Sequence, residues 1–119
     1  MPDQRIVRAI AIIENVRPAH KLSIADVASR VGLSVSHFAH LFRAGTGVPP
    51  AHYIKAAKLR SAARLLAGTR VPVGEAARAS GFSDVSHFVR DFKLHYQVSP
   101  GAFRRSAFRG TAPAEPWVV

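Results

Sequence analysis

The sequence predicts an all-α fold: seven helices forming two helix-turn-helix subdomains joined by a long linker helix. Three observations carry the prediction. Apolar residues recur at helical rather than alternating spacing in segment after segment. Glycine-centred turns separate short helices. One pattern is also written twice, as Gly32-Leu33-Ser34-Val35-Ser36-His37-Phe38 through Phe42, and as Gly81-Phe82-Ser83-Asp84-Val85-Ser86-His87-Phe88 through Phe92.

The first helix is predicted over residues 5–17, where Ile6, Ile10, Ile13 and Val16 share a face and Pro18 ends the run. Ser23 is placed to cap the second helix, with Asp26 at its positive end. Ile24, Val27, Ala28 and Val31 form its apolar face and Gly32 its stop. Leu33 fills the corner and Ser34 caps the third helix, of which Phe38, Leu41 and Phe42 point inward. Val35, Ser36, Ala39, His40 and Arg43 are left outward, and Gly45 and Gly47 close the helix. Pro49-Pro50 opens the fourth and longest helix, since proline is tolerated in a first turn. Tyr53, Ile54, Ala57, Leu59, Ala62, Ala63, Leu65 and Leu66 surround so much of its girth that it must be packed on two sides, as a beam shared by both halves.

Past Gly68 the pattern begins again. Val73, Ala76 and Ala77 repeat the spacing of Ile24, Val27 and Ala28, Gly81 matches Gly32, and Ser83 is paired with Ser34. One residue is then inserted, after which Ser86, His87, Phe88, Phe92, Val98 and Pro100 match Ser36, His37, Phe38, Phe42, Val48 and Pro50. The period is 49 residues before the insertion and 50 after it, an internal repeat. Ser99-Pro100 opens a last short helix to about Ser106, and residues 111–119, with Trp117, read as a loosely ordered tail. The predicted division is therefore a first subdomain at 5–48, a linker helix at 49–67, a second subdomain at 68–106 and a tail at 107–119.

Composition limits what such a fold can do. The chain has 119 residues, 48% hydrophobic and 20% charged, with 17 Lys and Arg against 7 Asp and Glu, a formal charge of +10. That imbalance favours polyanionic partners. The absence of cysteine removes disulfides, thiolate metal sites and a cysteine nucleophile, and suits a cytoplasmic protein. No apolar run approaches the roughly 20 residues of a membrane helix, so no membrane partner is expected. No phosphate-binding loop or nucleophile elbow is present and carboxylates are few, so no enzyme is expected and no cofactor. His37 and His40 stand three apart but lack a Cys or carboxylate cluster to complete a metal site.

A short helix, a glycine turn and a capped second helix outline the motif whose second helix lies in the DNA major groove. Here the residues resemble the DNA-binding domain of the AraC/XylS family of bacterial transcription regulators. The resemblance is closest at Gly81-Phe82-Ser83-Asp84, Ser86-His87-Phe88, Arg90, Phe92-Lys93, Ser99-Pro100 and Phe103-Arg104. It extends through Ala28, Gly32-Leu33-Ser34, Leu41-Phe42, Gly47, Pro50, Tyr53-Ile54, Leu59, Ala62 and Leu65-Leu66, so that about residues 5–106 are covered. It implies sequence-specific binding of double-stranded DNA, with two recognition helices, residues 35–44 and 84–95, entering major-groove segments about 34 Å apart. It also implies activation of transcription by contact with RNA polymerase, which no residue displays.

Carried over residue by residue, the resemblance places base reading at Ser36, Ala39 and His40 in the first recognition helix, and at Val85, Ser86, Val89 and Arg90 in the second. Arg90 has two donors suited to guanine O6 and N7; alternatively it meets a phosphate, Asp91 or Asp84. The two valines suit a thymine methyl or are spare apolar surface. Phosphate contacts are expected at the helix starts Ser34, Ser83 and Ser99, and at Arg43, Lys93, Arg104, Arg105 and Arg60. Three departures from the family pattern stand out. Lys58 occupies a position where arginine is usual. Gly74 and Ala76 predict a loosely packed fifth helix. Gln97 stands where the first half has Gly47, and is strained if that site needs positive φ.

Two other readings share the charge: a non-specific nucleoid or RNA-binding protein, and a basic adaptor for an acidic protein. Both helix-turn-helix units already occupy the chain, leaving no ligand-sensing domain within it. It is then either a free-standing regulator or the C-terminal part of a larger one.

Overall fold

The computed structural model describes residues 3–15 and 22–110. Its helices are α1 (Gln4–Asn15), α2 (Ile24–Arg30), α3 (Val35–Thr46), α4 (Pro50–Gly68), α5 (Val73–Ala79), α6 (Val85–Tyr96) and α7 (Pro100–Phe108), with no strand among the described residues. The predicted end of the first helix at Val16, Arg17 and Pro18 lies outside the described residues, as do residues 111–119 with Trp117; residues 107 and 108, predicted as tail, are the end of α7. The chain divides into two compact units, Met1–Ala57 and Lys58–Val119, with the division inside α4.

Each unit has its own core. In the first, Ile6, Ala9 and Ile13 of α1, Val27 and Ala28 of α2, Phe38 and Phe42 of α3, and Tyr53, Ile54 and Ala57 of α4 are buried together. In the second, Leu59, Ala62, Ala63 and Leu66 of α4 join Ala76 and Ala77 of α5, Phe88, Phe92 and Tyr96 of α6, and Phe103 of α7. The beginning of α4 thus serves as the fourth helix of the first unit, and its remainder as the first helix of the second. The correspondence holds residue by residue. Leu59, Ala62 and Leu66 carry the i, i+3, i+7 spacing of Ile6, Ala9 and Ile13, 53 residues later. This explains why α4 is apolar around so much of its girth.

The aromatic packing is repeated as well. The Phe38 and Phe42 rings lie 5.4 Å apart at 55°, and Tyr53 meets Phe42 edge-on at 5.4 Å. In the second unit Phe88 and Phe92 lie 5.5 Å apart at 51°, and Phe103 meets Phe92 edge-on at 5.4 Å. Such pairs contribute about 0.5–1.5 kcal/mol each beyond area burial. Tyr96, where the first unit has Thr46, adds rings 4.6 Å from Phe92 and 5.2 Å from Phe103.

Both short helices end in the same glycine cap. Gly32 (φ 76°) and Gly81 (φ 102°) adopt the left-handed region. The N–H of Leu33 then reaches back to the Ala28 carbonyl at 2.9 Å, and that of Phe82 to the Ala77 carbonyl at 3.0 Å. This six-to-one closure satisfies a helix-terminal carbonyl and swings the chain into the next helix. Loose packing of α5 is not seen at Ala76, which with Ala77 is fully enclosed. At Gly74 a Cβ would come within 3.3 Å of the end of the Arg78 side chain, a tight approach that only the flexible guanidinium could relax. Gly45 lies inside α3 rather than closing it, and Gly47 (φ 83°) is the cap. Lys58 is half-buried, and desolvation lowers its ammonium pKa below the ordinary value.

Candidate nucleic-acid interface

The second helix of each helix-turn-helix is positioned by what precedes and underlies it. Ser34 caps α3, its hydroxyl accepting from the His37 N–H at 3.2 Å. The spacing from Gly81 predicts Ser83 in the same role for α6, and the structure corrects this. Asp84 is the cap, its carboxylate accepting from the His87 N–H at 3.1 Å. The inserted residue therefore falls in the turn: one residue separates Gly32 from its cap, and two separate Gly81 from Asp84. Serine and aspartate are comparable caps, so local chemistry allowed either start. The spacing back from Phe88 and Phe92 selects Asp84, which stands 50 residues after Ser34.

With the insertion confined to the turn, α3 and α6 align residue by residue over 12 positions. Both place phenylalanine at positions 4 and 8, fully buried, so both turn the same positions outward. On α3, Val35, Ser36, His37, His40 and Arg43 are exposed and Ala39 is half-buried. On α6, Ser86, His87, Val89, Arg90 and Lys93 are exposed and Val85 is half-buried. All seven residues expected to read bases thus lie on the two second helices, on the faces away from the cores. Val35, 48% exposed, was not among them. The repeat held the signal, because Val35 stands 50 residues before Val85.

The electrostatics of the two faces differ. The first turn of α6 carries the Asp84 carboxylate, with the His87 ring nitrogen 3.9 Å away. The His87 N–H, the His87 ring, the Ser86 N–H and the Arg90 charge hold that carboxyl below its ordinary pKa. Nε of Arg90 lies 3.9 Å from Asp91, but its side chain is 63% exposed. An ion pair that long and wet is worth little, so the guanidinium remains available to another partner. The α3 face contains no acidic residue.

The expected phosphate contacts fare unevenly. Arg43, Lys93 and Arg105 are exposed, as is Ser34. Ser83 is exposed in the turn rather than beginning a helix. Ser99 caps α7, accepting from the Ala102 N–H at 3.1 Å. Arg60 is half-buried on α4. Arg104 is placed differently from its expected role. Its guanidinium donates to the main-chain carbonyls of Leu66 (3.1 Å), Thr69 (3.5 Å) and Val71, closing the chain that leaves α4. Those bonds hold the half-buried group against the end of α4, so it is removed from the phosphate set. Among the described residues no three His, Cys, Asp or Glu side chains are grouped to hold a metal. No described helix is long and apolar enough to cross a membrane.

Known proteins share this fold. Residues 19–106 match the model of a helix-turn-helix domain family. The chain is 34% identical over 102 residues to the arabinose operon regulatory protein of Escherichia coli K12, covering 86% of this chain and 35% of that protein. It therefore spans about a third of the length of that curated relative. Its fold is also that of a transcriptional regulator with an AraC-type DNA-binding domain from Chromobacterium violaceum. The TM-score is 0.78 at 27% identity, covering 87% of this chain and 92% of that one. The DNA-binding domain of AdpA, crystallised in complex with a target DNA, has the same fold: TM-score 0.75, 24% identity, 91% and 98% covered.

Proposed function

The chain belongs to the AraC family of helix-turn-helix transcriptional regulators, and from that membership we propose that it binds double-stranded DNA sequence-specifically to regulate transcription. The observation that carries the proposal is the pair α3 and α6. Each is held by a buried Phe pair so that the same positions face outward, in a chain of charge +10. Phosphate contacts position such a protein and base-edge contacts specify the sequence.

In this reading residues 5–48 and 68–106 are the two reading modules and 49–67 their joining helix. Ser36, Ala39 and His40 read one half-element. Val85, Ser86, Val89 and Arg90 read the other, with Arg90 donating to a guanine. Ser34, Arg43, Ser83, Lys93, Ser99 and Arg105 meet phosphates. The site is asymmetric and on the order of 15–20 base pairs, two major-groove segments one turn apart. Activation by contact with RNA polymerase, in the cytoplasm, belongs to the same proposal and rests on family membership.

The test is a competition mobility-shift assay on a site selected from random DNA. Specific binding keeps the shifted band when random DNA is added in large excess at physiological salt. Equal competition by random DNA would sink the proposal.

A further inference from the structure

We infer that the two half-elements of the DNA site share one base step and diverge at the next, the divergence being set by Ala39-His40 against Val89-Arg90. The inference rests on the proposed DNA reading and goes beyond it by relating the two half-elements to each other.

Three observations fix the comparison. The helices have equal length and both open Val-Ser-His-Phe. Their Phe pairs are buried alike, with ring separations of 5.4 and 5.5 Å. The insertion lies before the cap and so does not shift the register along α6. Positions at the same register can therefore be compared one for one. In the first turn Val35-Ser36 and Val85-Ser86 are identical: a branched apolar group suited to a thymine methyl, followed by a hydroxyl that donates or accepts. Two identical pairs at the same register of their helices select the same step twice. In the second turn the pairs differ. Val89 extends the apolar surface that Ala39 offers, and Arg90 supplies the two parallel donors that guanine O6 and N7 accept. His40 has one imidazole edge to offer at that position and discriminates less. Arg43 and Lys93 follow as equivalent cations, suited to phosphate rather than base. The half-element under α6 therefore demands a base that the one under α3 tolerates losing.

Selection of bound sites from a random library by the whole chain reads this directly. The expected motif holds two half-elements with a common step, the neighbouring position strongly specified in one and weakly in the other. The double variant Ala39→Val/His40→Arg gives α3 the outward pairs of α6. It should convert the first half-element into a copy of the second and strengthen binding to a doubled second element at least tenfold. The reciprocal Val89→Ala/Arg90→His should relax the second half-element instead. It provides an independent test if the first variant folds poorly. Specific sites without a common step, or a swap that leaves the first half-element unchanged, overturn this inference while DNA reading stands. Failure of the wild-type chain to select any site overturns both.

Discussion

Nε of Arg104, on α7, donates to the main-chain carbonyl oxygen of Leu66, at the end of α4, across 3.1 Å and 38 residues of sequence. The same guanidinium serves the Thr69 and Val71 carbonyls. The Leu66 carbonyl lies in the last turn of α4 and those of Thr69 and Val71 beyond it, where intrahelical partners run out. A charged donor bonded to such groups is worth about 1.5–3 kcal/mol. Arg104→Ala should therefore lower the unfolding free energy of the chain by about 2–3 kcal/mol, measured by urea denaturation. It should leave the salt dependence of DNA binding unchanged. An unaltered denaturation midpoint with a shallower salt slope would return Arg104 to the DNA backbone.

Gln97 carries the strain that its alignment with Gly47 foretold. It is the one non-glycine with positive φ among the described residues (φ 66°), while Gly47 at the equivalent cap has φ 83°. A left-handed residue with a Cβ costs roughly 1–2 kcal/mol. The Gln97 amide returns part of that through a 2.8 Å bond to the Leu94 carbonyl. Gln97→Gly should raise stability by about 1 kcal/mol and the melting temperature by several degrees, with the greater freedom of glycine in the unfolded chain limiting the gain. Gly47→Ala should do the reverse. No atom lies within 4 Å of a Cβ built there, so its penalty is purely one of backbone conformation. A Gln97→Gly protein no more stable than wild type would show the side-chain bond to outweigh the strain.

Asp84 makes the second unit sensitive to acid. The folded state lowers its pKa below the ordinary 3.8, chiefly through the His87 N–H. A carboxyl with a depressed folded pKa contributes stability that is complete above the unfolded value and is lost as pH falls through the folded one. The loss should therefore appear below about pH 4. Asp84→Asn preserves a cap oxygen without the charge, so its melting temperature should fall less steeply over that range than that of the wild type. Asp3, held low by the Arg5 side chain, should keep its own acid response in the variant. Identical acid limbs for the two proteins would remove Asp84 as a source of the loss.

The parts of this molecule legible from sequence are those that local chemistry dictates. The glycine stops at Gly32 and Gly81, the caps at Ser23, Ser34 and Ser99, and the inward Phe pairs all follow from spacing and conformational preference. The shared role of α4 was readable because two-sided burial leaves an apolar excess in the sequence. Arg104 was not readable, because its partners are main-chain carbonyls 33–38 residues earlier. Carbonyls carry no side-chain signature, so exposure and pairing look alike in the sequence. The cap at Asp84 rather than Ser83 was hidden for a different reason. Two good caps stood side by side, and aligning the repeat from its glycine chose one while aligning from its phenylalanines chose the other. Buried phenylalanines fix the phase of a helix, whereas a turn can lengthen without disturbing the core. The second alignment was therefore the one with physical authority.

Arg90 and Lys93 lie on one exposed stretch of α6 and should fail in different ways. Arg90 is a forked donor, 63% exposed and only loosely paired with Asp91. Its loss should remove about 1–3 kcal/mol of discrimination at one base pair. Arg90→Ala should thus weaken the selected site some 5- to 150-fold and abolish the preference at that pair, while a site already mutated there loses little. Arg90→Lys should not rescue it, because a single ammonium cannot reproduce two parallel bonds. Lys93, a point charge one helical step further on, should behave as a phosphate contact. Lys93→Ala should weaken all sequences alike and reduce the slope of log affinity against log salt by about 1. Titrating both variants against the selected site and its single-base mutants, at several salt concentrations, separates the two roles. If Arg90→Ala lowers affinity uniformly and flattens the salt dependence, Arg90 belongs with the phosphate contacts, and the sequence is read by its neighbours on the helix.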